Sequence, residues 1–257
     1  MMIKDLDNEI TIVIVLYKEE YDLISRTLSF LNTFKIIIID NDNNFSLRHK
    51  IEKNFNIHKY ILNKKNNGFS AGYNQGIKIS NTTYTLILGP DCIIKKEDIF
   101  LLKKKLLTYD NCFAVSPLSY DEKGNLTYSG GPLPEIGEKN EVLNISGDTC
   151  VDSSLGACLF FKTKNFIENN LLFDENFFIY YSDDDLCRRI KMLNKTIIQI
   201  YDAKSIHKHG SIKVKNKYLK IFIREFNLNK DRYFYFYKIN KHHDISKRFK
   251  KKFQFFF

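Results

Sequence analysis

The chain has 257 residues, of which 44% are apolar, and that content is enough for a full hydrophobic core, which argues against a disordered chain. Its formal net charge is +10, but residues 208–257 carry 15 Lys and Arg against 3 Asp and Glu, so residues 1–207 are slightly acidic. This distribution argues against a nucleic-acid enzyme, which would carry basic residues across its catalytic body as well. Five cysteines without C-x-x-C spacing argue against a disulfide framework and a structural zinc site, and they fit a reducing cytosol.

The first elements read as strand, helix, strand. The run ITIVIVLY (Ile10–Tyr17) predicts a buried strand, apolar residues at helical spacing follow it, and KIIII (Lys35–Ile39) predicts a second buried strand. Such a unit makes a parallel pair, and ligands of parallel sheets bind beyond the carboxyl ends of the strands. Tyr17, Glu19 and Asp40 therefore lie where a ligand is expected, although Asp40 is equally well explained as a turn residue.

A glycine-rich stretch follows a weaker strand at Lys59–Leu62. Gly68, Gly72 and Gly76 are interleaved with Asn and Gln, at a spacing that matches neither a Rossmann fingerprint nor a phosphate-binding loop. We interpret it as the start of a helix where the backbone approaches a ligand closely.

The next strand, around Leu86–Leu88, is stopped by Gly-Pro, so that Asp91 stands at its carboxyl end. An acid there is placed to bind a divalent cation, and an N-cap of the predicted helix Lys96–Leu107 is the alternative. Residues 119–148 predict hairpins and loops over the active face, and Val151–Lys162 predicts a further buried strand.

A strand through Ile197–Ile200 leads to His207-x-His209. Histidines just past a strand end are candidate metal ligands, and an ordinary surface pattern is the alternative.

Three consecutive carboxylates, Asp183, Asp184 and Asp185, precede a predicted helix at Leu186–Leu193. Like charges this close need a cation, a helix N-terminus or water to compensate them. The acids lie between aromatic residues and two arginines, which is a plausible setting for a general base. Helix capping is the alternative, and Asp185 is the acid that we predict to be the cap.

The C-terminal part, from Lys217 onward, keeps a roughly helical spacing of aromatic residues among lysines and closes with KRFKKKFQFFF. A basic segment of this kind suits an anionic membrane surface. The alternative is a helix packed on the domain and followed by a disordered end.

Taken together, VLYKEE, IIIIDND, NNGFSAGYNQGI, LILGPD, SSLGACLFFK, FFIYYSDDDLCRRI and DAKSIHKHGS resemble, in this order, the inverting glycosyltransferases of family 2. The likeness is greatest to the rhamnosyltransferase-like bacterial branch that builds surface polysaccharides. It implies a GT-A fold, which is an α/β fold with a mostly parallel central sheet and helices on both faces. We expect this domain over residues 1–211 and a basic, aromatic-rich helical extension over residues 212–257.

The resemblance also assigns roles to individual residues. It places Asp183 as the catalytic base with Asp184 in support, and it places Asp91 and His207, or His209, as ligands of Mn²⁺ or Mg²⁺. The positions that it implies for donor binding are Tyr17, Glu19, Asp40, Asn67, Gly68, Phe69, Asn74 and Asp91. Two positions depart from the family pattern: Gly89 replaces an expected Asn or Asp, and Ser182 replaces an expected Glu.

The implied reaction is transfer of a sugar from a nucleotide-diphosphate donor, such as a dTDP or UDP sugar, to a hydroxyl of a glycan or lipid-linked acceptor, with inversion. We expect a cytoplasmic enzyme at the inner face of the membrane, because residues 1–9 are polar and the following apolar run is too short to span a bilayer. A nucleotidyltransferase and a non-catalytic sugar-nucleotide-binding relative are the rival functions.

Overall fold

The computed structural model describes residues 7–137, 145–208 and 216–240. The first part of the chain alternates short strands with helices. Its elements are β1 (Ile10–Leu16), α1 (Tyr21–Leu28), β2 (Lys35–Asp40), α2 (Phe45–Asn54), β3 (Lys59–Leu62), α3 (Gly68–Ile79), β4 (Tyr84–Leu88), β5 (Cys92–Ile94) and α4 (Lys96–Thr108).

The second part is richer in strands and ends with one long helix. Its elements are β6 (Cys112–Tyr120), β7 (Leu126–Thr127), β8 (Gly130–Gly131), β9 (Thr149–Val151), β10 (Ser153–Ser154), β11 (Cys158–Lys162), α5 (Thr163–Glu168), α6 (Ser182–Met192), β12 (Thr196–His207) and α7 (Lys217–Lys238).

One sheet organises the molecule, with the strand order β3-β2-β1-β4-β11-β6-β12-β5. The strands β1 to β4 are mutually parallel, and β12 is parallel to β6. Both neighbours of β11 pair with it in antiparallel orientation, and so does β5 with β12. The predicted mostly parallel sheet is therefore confirmed.

Helices cover both faces of this sheet, because successive strand residues point to opposite sides. In β1, Ile12 and Ile14 pack in a core that also contains residues of α1, α2 and α4. Val13, between them, packs in a second core that is shared with α3, α5 and α6. A strand that is buried on both faces reads as a continuous apolar run, as ITIVIVL does.

Two glycines of the Gly-rich stretch have a packing role rather than the predicted ligand contact. A Cβ on Gly76 would lie 2.1 Å from Val13 Cγ1, and one on Gly72 would lie 2.8 Å from Val15 Cγ1. Their missing side chains allow α3 to lie close against β1. Only Gly68, at the start of α3, lies among the candidate site residues.

Several element boundaries differ from the prediction. The strand expected over Val151–Lys162 is divided into β9, β10 and β11, and α2 was not predicted at all. The short helix α2 is held at its start by Asn44, whose side chain accepts a hydrogen bond from Leu47 N at 2.9 Å, and it buries only Leu47 and Ile51. Two apolar residues are too few for a clear periodic signal.

Candidate active site

The carboxyl ends of β1, β2 and β4 bring together the first group of predicted residues. Asp40, the last residue of β2, is fully buried. Its Oδ1 accepts a hydrogen bond from Asp42 N at 2.7 Å, and its Oδ2 accepts one from the Tyr60 hydroxyl at 2.9 Å. Burial and the Asp40 carboxylate both raise the pKa of Tyr60, so this phenol stays protonated. Asp40 is thus a strand-end residue whose carboxylate is held as a rigid acceptor, while Tyr17, which follows β1, is exposed.

A set of amide side chains, whose mutual contacts the sequence reasoning missed, joins this end of β2 to α3. Asn41 Nδ2 donates to Gly68 O at 3.0 Å. Asn63 Nδ2 donates to both Asn41 Oδ1 and Gln75 Oε1 at 2.9 Å. The signal that was available is their position, since Asn41 and Asn63 each directly follow a parallel strand.

The segment Asn67–Phe69 rests on the loop that precedes α6. Gly68 has a φ of +83°, and a Cβ there would lie 2.5 Å from Phe178 O, so the position requires glycine. Phe69 N donates to the same carbonyl oxygen at 2.7 Å. The Phe69 ring packs against Tyr73, with ring centroids 4.5 Å apart.

The Asn74 side chain, which was predicted to contact the donor, is buried and bonded within the protein. Its Nδ2 donates to Phe173 O at 2.8 Å and to Glu175 Oε1 at 2.9 Å, and its Oδ1 accepts from Phe173 N at 2.8 Å. Both amide hydrogens are therefore engaged within the protein. Asn74 thus holds the loop around Phe173 and Glu175 against α3.

Asp91 and His207 meet, as predicted, at the ends of β4 and β12. Asp91 Oδ1 lies 3.3 Å from His207 Nε2, and both side chains are largely buried. The turn that carries Asp91 is held by Thr27 Oγ1, which donates to Pro90 O at 2.8 Å, and by Lys208 N, which donates to Asp91 O at 3.1 Å. Helix α4 begins after Lys95, so Asp91 does not cap it. His209 lies outside the described residues.

This pair fits a divalent cation that is shared with a substrate. In the described ranges no cluster of three or more His, Cys, Asp or Glu side chains is arranged around a metal position. One carboxylate and one imidazole suit a cation such as Mn²⁺ or Mg²⁺ that takes its other ligands from phosphate and water. At Gly89, where the family pattern has Asn or Asp, a side chain would crowd this pair, because a Cβ there would lie 3.1 Å from Asp91 Oδ1.

The three acids of the run have three different environments. Helix α6 begins at Ser182, after Tyr181 in a left-handed conformation with φ of 59°, so all three acids lie in its first turn, where the helix dipole favours negative charge. Asp183 is half-buried, and its Oδ2 accepts from Gly156 N at 3.1 Å. Asp184 is fully buried and accepts from Ser153 Oγ at 2.6 Å.

Asp185 does not cap the helix, and this prediction is wrong. The helix starts one turn earlier than expected, so the Asp185 carboxylate points to two cations instead. Its Oδ2 lies 2.8 Å from Arg189 Nε and its Oδ1 lies 2.6 Å from Lys238 Nζ. Ser182, where a Glu was expected, is buried with its hydroxyl 2.7 Å from that of Ser70.

Asp185→Asn is expected to lower the free energy of unfolding by about 1 to 2 kcal/mol, because it breaks a buried ion-pair network whose two cations retain some contact with water. The melting temperature should fall by about 2 to 8 °C. Asp152→Asn is the matched control, since Asp152 pairs with the exposed Lys191 and should change stability little. Equal melting temperatures for the two variants would contradict a structural role of Asp185.

One short loop connects two turns of the site. The first is the initial turn of α6 with Asp183–Asp185, which we call the acidic turn, and the second is the turn that carries Asp91. Gly156 N donates to Asp183 Oδ2, and in the next residue Ala157 O accepts from Gly89 N at 2.8 Å. Asp183 and Gly89, which begins the turn of Asp91, are thus hydrogen-bonded to the two residues of the same dipeptide, although they are far apart in the sequence.

The sequence matches the model of glycosyl transferase family 2 over residues 11–182. The hexosyltransferase Agl10 of low-salt glycan biosynthesis in Haloferax volcanii is 30% identical over 218 residues, which cover 78% of this chain and 67% of the relative. The rhamnosyltransferase WbbL of Escherichia coli is 26% identical, over 76% of this chain and 82% of the relative. The dTDP-rhamnosyl transferase RfbF of Shigella flexneri is 25% identical, over 82% and 72%.

Solved structures show the same fold at lower identity. The structure of GalNAc-T7 with UDP, GalNAc and Mn²⁺ superposes with a TM-score of 0.64 at 14% identity, over 78% of this chain and 44% of that one. The mannosyltransferase PcManGT of Pyrobaculum calidifontis, in complex with GDP-Man and Mn²⁺, gives a TM-score of 0.57 at 13% identity, over 84% and 60%. The fold is therefore GT-A-like. The chain belongs to family 2 of the glycosyltransferases.

Proposed function

We propose that this glycosyltransferase moves a hexosyl or deoxyhexosyl group from a nucleotide-diphosphate sugar to a hydroxyl of a glycan or lipid-linked acceptor, with inversion. The observation that carries the proposal is the Gly156–Ala157 dipeptide, which joins the Asp183 carboxylate to the turn of Asp91. An in-line displacement needs a base on one side of the reacting carbon and a group that binds the leaving diphosphate on the other. Asp183 and the turn of Asp91 would fill these two roles.

In this reaction the acceptor oxygen forms a bond to the anomeric carbon while the bond from that carbon to the diphosphate oxygen breaks. Asp183 takes the acceptor proton, and the nucleoside diphosphate leaves with the bonding electrons. Tyr17, Glu19 and Asp40 would line the nucleoside pocket, with the segment Asn67–Phe69 beside the ribose and diphosphate. A divalent cation held by Asp91 and His207 would neutralise the negative charge on the diphosphate.

The names of the relatives support the sugar class. Two of them are rhamnosyltransferases, one named for a dTDP-rhamnosyl donor, and the third is a hexosyltransferase of glycan biosynthesis. We therefore favour dTDP-rhamnose as the first donor to test, with a UDP sugar as the second, and the assembly of a bacterial surface polysaccharide as the role.

The direct test is donor consumption with Mn²⁺ present, followed by mass spectrometry, for dTDP-rhamnose, UDP-GalNAc and GDP-mannose with and without a panel of glycan acceptors. Release of the nucleoside diphosphate together with a glycosylated acceptor supports the proposal. Release of pyrophosphate would indicate a nucleotidyltransferase instead. Binding without consumption by the wild-type protein would indicate a non-catalytic relative.

A peripheral position on an anionic membrane is part of the same proposal. Helix α7 exposes aromatic and aliphatic residues, and none of the helices in ranges 7–137, 145–208 and 216–240 combines the length and apolar character that crossing a bilayer requires. The exposed residues are Tyr218, Leu219, Phe222, Phe226, Tyr233 and Tyr237. The basic tail that was predicted to bind lipid, residues 241–257, lies outside the described residues.

A chain truncated after Asn240 is expected to bind vesicles that contain phosphatidylserine at least about tenfold more weakly than the full chain. The truncation removes six Lys and Arg against one Asp, and each basic residue near an anionic surface contributes about 1 kcal/mol before screening by salt. Sedimentation with phosphatidylcholine vesicles is the control. Unchanged binding of the truncated chain to anionic vesicles would exclude the tail as the lipid-binding segment.

A further inference from the structure

The segment between Asp174 and Tyr181, which leads into the acidic turn, has neither helix nor strand structure and is held by the C-terminal helix. Three residues of α7 reach it: Asp231, Tyr235 and Lys238. They are four and three positions apart, so they lie on one face of the helix. The predicted C-terminal extension is therefore in direct contact with the loop before the candidate base.

Asp231 makes the most specific of these contacts. It is fully buried, and it accepts hydrogen bonds from three successive backbone amides. Its Oδ1 accepts from Phe178 N at 3.2 Å, and its Oδ2 accepts from Ile179 N and from Tyr180 N at 2.9 Å each. A buried carboxylate is tolerated when its oxygens are hydrogen-bonded, and bonds to an ionised acceptor are stronger than neutral ones. No regular secondary structure supplies partners for these three amides, and Asp231 supplies them instead.

The other two contacts hold the two sides of the same segment. The Tyr235 ring lies with its centroid 5.4 Å from that of Tyr181, and its hydroxyl donates to Glu135 Oε2 at 2.5 Å. Lys238 Nζ lies 2.9 Å from Asp174 Oδ2 and 2.6 Å from Asp185 Oδ1. Asp231 thus holds the middle of a segment whose ends are also attached to α7.

The amides bound by Asp231 lie next to both halves of the proposed site. On one side, Phe178 O accepts the hydrogen bond from Phe69 N, in the segment beside the expected donor. On the other side, Tyr180 is followed by Tyr181, whose left-handed conformation starts α6 and sets the direction of Asp183. Movement of this short stretch would displace the base and the donor segment relative to each other.

We infer that Asp231 is a positioning residue for sugar transfer, which acts by fixing the backbone of Phe178–Tyr180 so that Asp183 faces the acceptor hydroxyl. The inference rests on the proposed function. It assigns a catalytic contribution to α7, for which the sequence predicted a basic, membrane-directed extension or a helix packed on the domain. A small misplacement of a reacting group lowers the rate strongly even when ligands still bind.

Asp231→Asn keeps the size of the side chain but replaces one acceptor oxygen by an amide group that faces a backbone N–H. We expect kcat for consumption of dTDP-rhamnose, or of whichever of the three probe donors the wild type uses, to fall about 10- to 100-fold. The donor KM should stay within about threefold. Lys230→Gln is the matched control, because Lys230 is the exposed preceding residue of the same helix, and it should keep normal kcat.

Amide hydrogen exchange provides a readout that does not depend on activity. In the wild-type protein the amides of Phe178, Ile179 and Tyr180 should exchange slowly although they lie in no helix or strand, and Asp231→Asn should accelerate their exchange at least about tenfold. Asp231→Glu, which keeps the charge on a longer side chain, should restore part of kcat and part of the protection.

The outcomes separate this inference from the proposed function. Fast exchange of the three amides in the wild type, or unchanged kcat in Asp231→Asn beside an active wild type, would overturn the role of Asp231. A loss of melting temperature and donor affinity together, with kcat retained, would also overturn it, because that pattern reports a structural residue. A wild type that consumes no nucleotide sugar would overturn the proposed function and, with it, the catalytic role of Asp231, whereas the exchange data would still show whether Asp231 holds the segment.

Discussion

Asp183→Asn is expected to lower turnover of the donor by about 10²- to 10⁴-fold, which is the range for removal of a positioned general base. Donor affinity and melting temperature should stay nearly unchanged. The physical reason is that Asp183 is the one acid of the run that is only half-buried, so its carboxylate alone can reach an acceptor. The Asn side chain keeps one oxygen, which can accept from Gly156 N in place of Oδ2 while the weaker contact of Oδ1 with the adjacent Asp184 N is lost, and it cannot take a proton at neutral pH.

The measurement is a comparison of steady-state donor consumption with calorimetric donor affinity for the same protein samples. Asp110→Asn is the control, because Asp110 is exposed and lies before β6, at the sheet edge opposite to the site. Asp184→Asn should instead lower stability, since it disturbs a fully buried carboxylate bonded to Ser153. Near-normal turnover of Asp183→Asn together with an inactive, folded Asp184→Asn would move the base to Asp184.

Asp91→Ala is expected to remove the dependence of donor binding on a divalent metal and to lower turnover by about 10²- to 10³-fold. The carboxylate of Asp91 is the charged member of the pair with His207, and charge neutralisation at the leaving diphosphate contributes several kcal/mol to transition-state stability. His207→Ala should weaken metal dependence less, because it removes one imidazole ligand and leaves the carboxylate.

Calorimetry with each of the three donors, in Mn²⁺ and in chelator, tests the assignment. The wild type should bind its donor more tightly with Mn²⁺, and Asp91→Ala should bind it equally in both solutions. Asp121→Asn is a suitable control, since that acid is engaged by the turn amides of Lys123 and Asn125. An equal donor affinity of the wild type with metal and with chelator would show that Asp91 and His207 serve another purpose.

The contact between the C-terminal helix and the acidic turn connects two features that the sequence presents separately. The outer face of α7 exposes aromatic residues, whereas its inner face holds the segment before Asp183 through Asp231. An enzyme that meets its acceptor at a lipid surface would gain from this arrangement, because under the two proposals the helix that would face the membrane would also orient the base.

The sequence by itself determined the parallel half of the sheet and the position of the site. Strands that are buried on both faces are continuous apolar runs, and they stand out from their polar flanks without any knowledge of their neighbours. ITIVIVL and KIIII are of this kind, and both strands form where they were predicted, as do KYIL and helix α4. Since parallel strands end at one edge, the acids that follow them could be placed together before the structure was known.

The structure alone decided what each polar residue does within that edge. The composition of Asp183–Asp185 does not reveal that one acid is only half-buried, one bonds Ser153 and one pairs with two cations. Those roles depend on which side of the first turn of α6 faces β10, α7 or the loop at Gly156. The expected capping by Asp185 failed for the same reason, because the left-handed Tyr181 starts the helix one turn early.

Contacts between residues that are distant in the sequence could not be predicted from local sequence patterns either. The hydrogen bonds from Phe178–Tyr180 to Asp231 span more than fifty residues, and the Gly156–Ala157 link joins two turns that lie on opposite sides of it in the chain. Helical and strand periodicity report which face of an element is apolar, but they carry no information on which other element covers that face. The local chain therefore determined the strands and the edge of the sheet at which the candidate site lies, and tertiary packing determined which carboxylate of the run stays partly accessible.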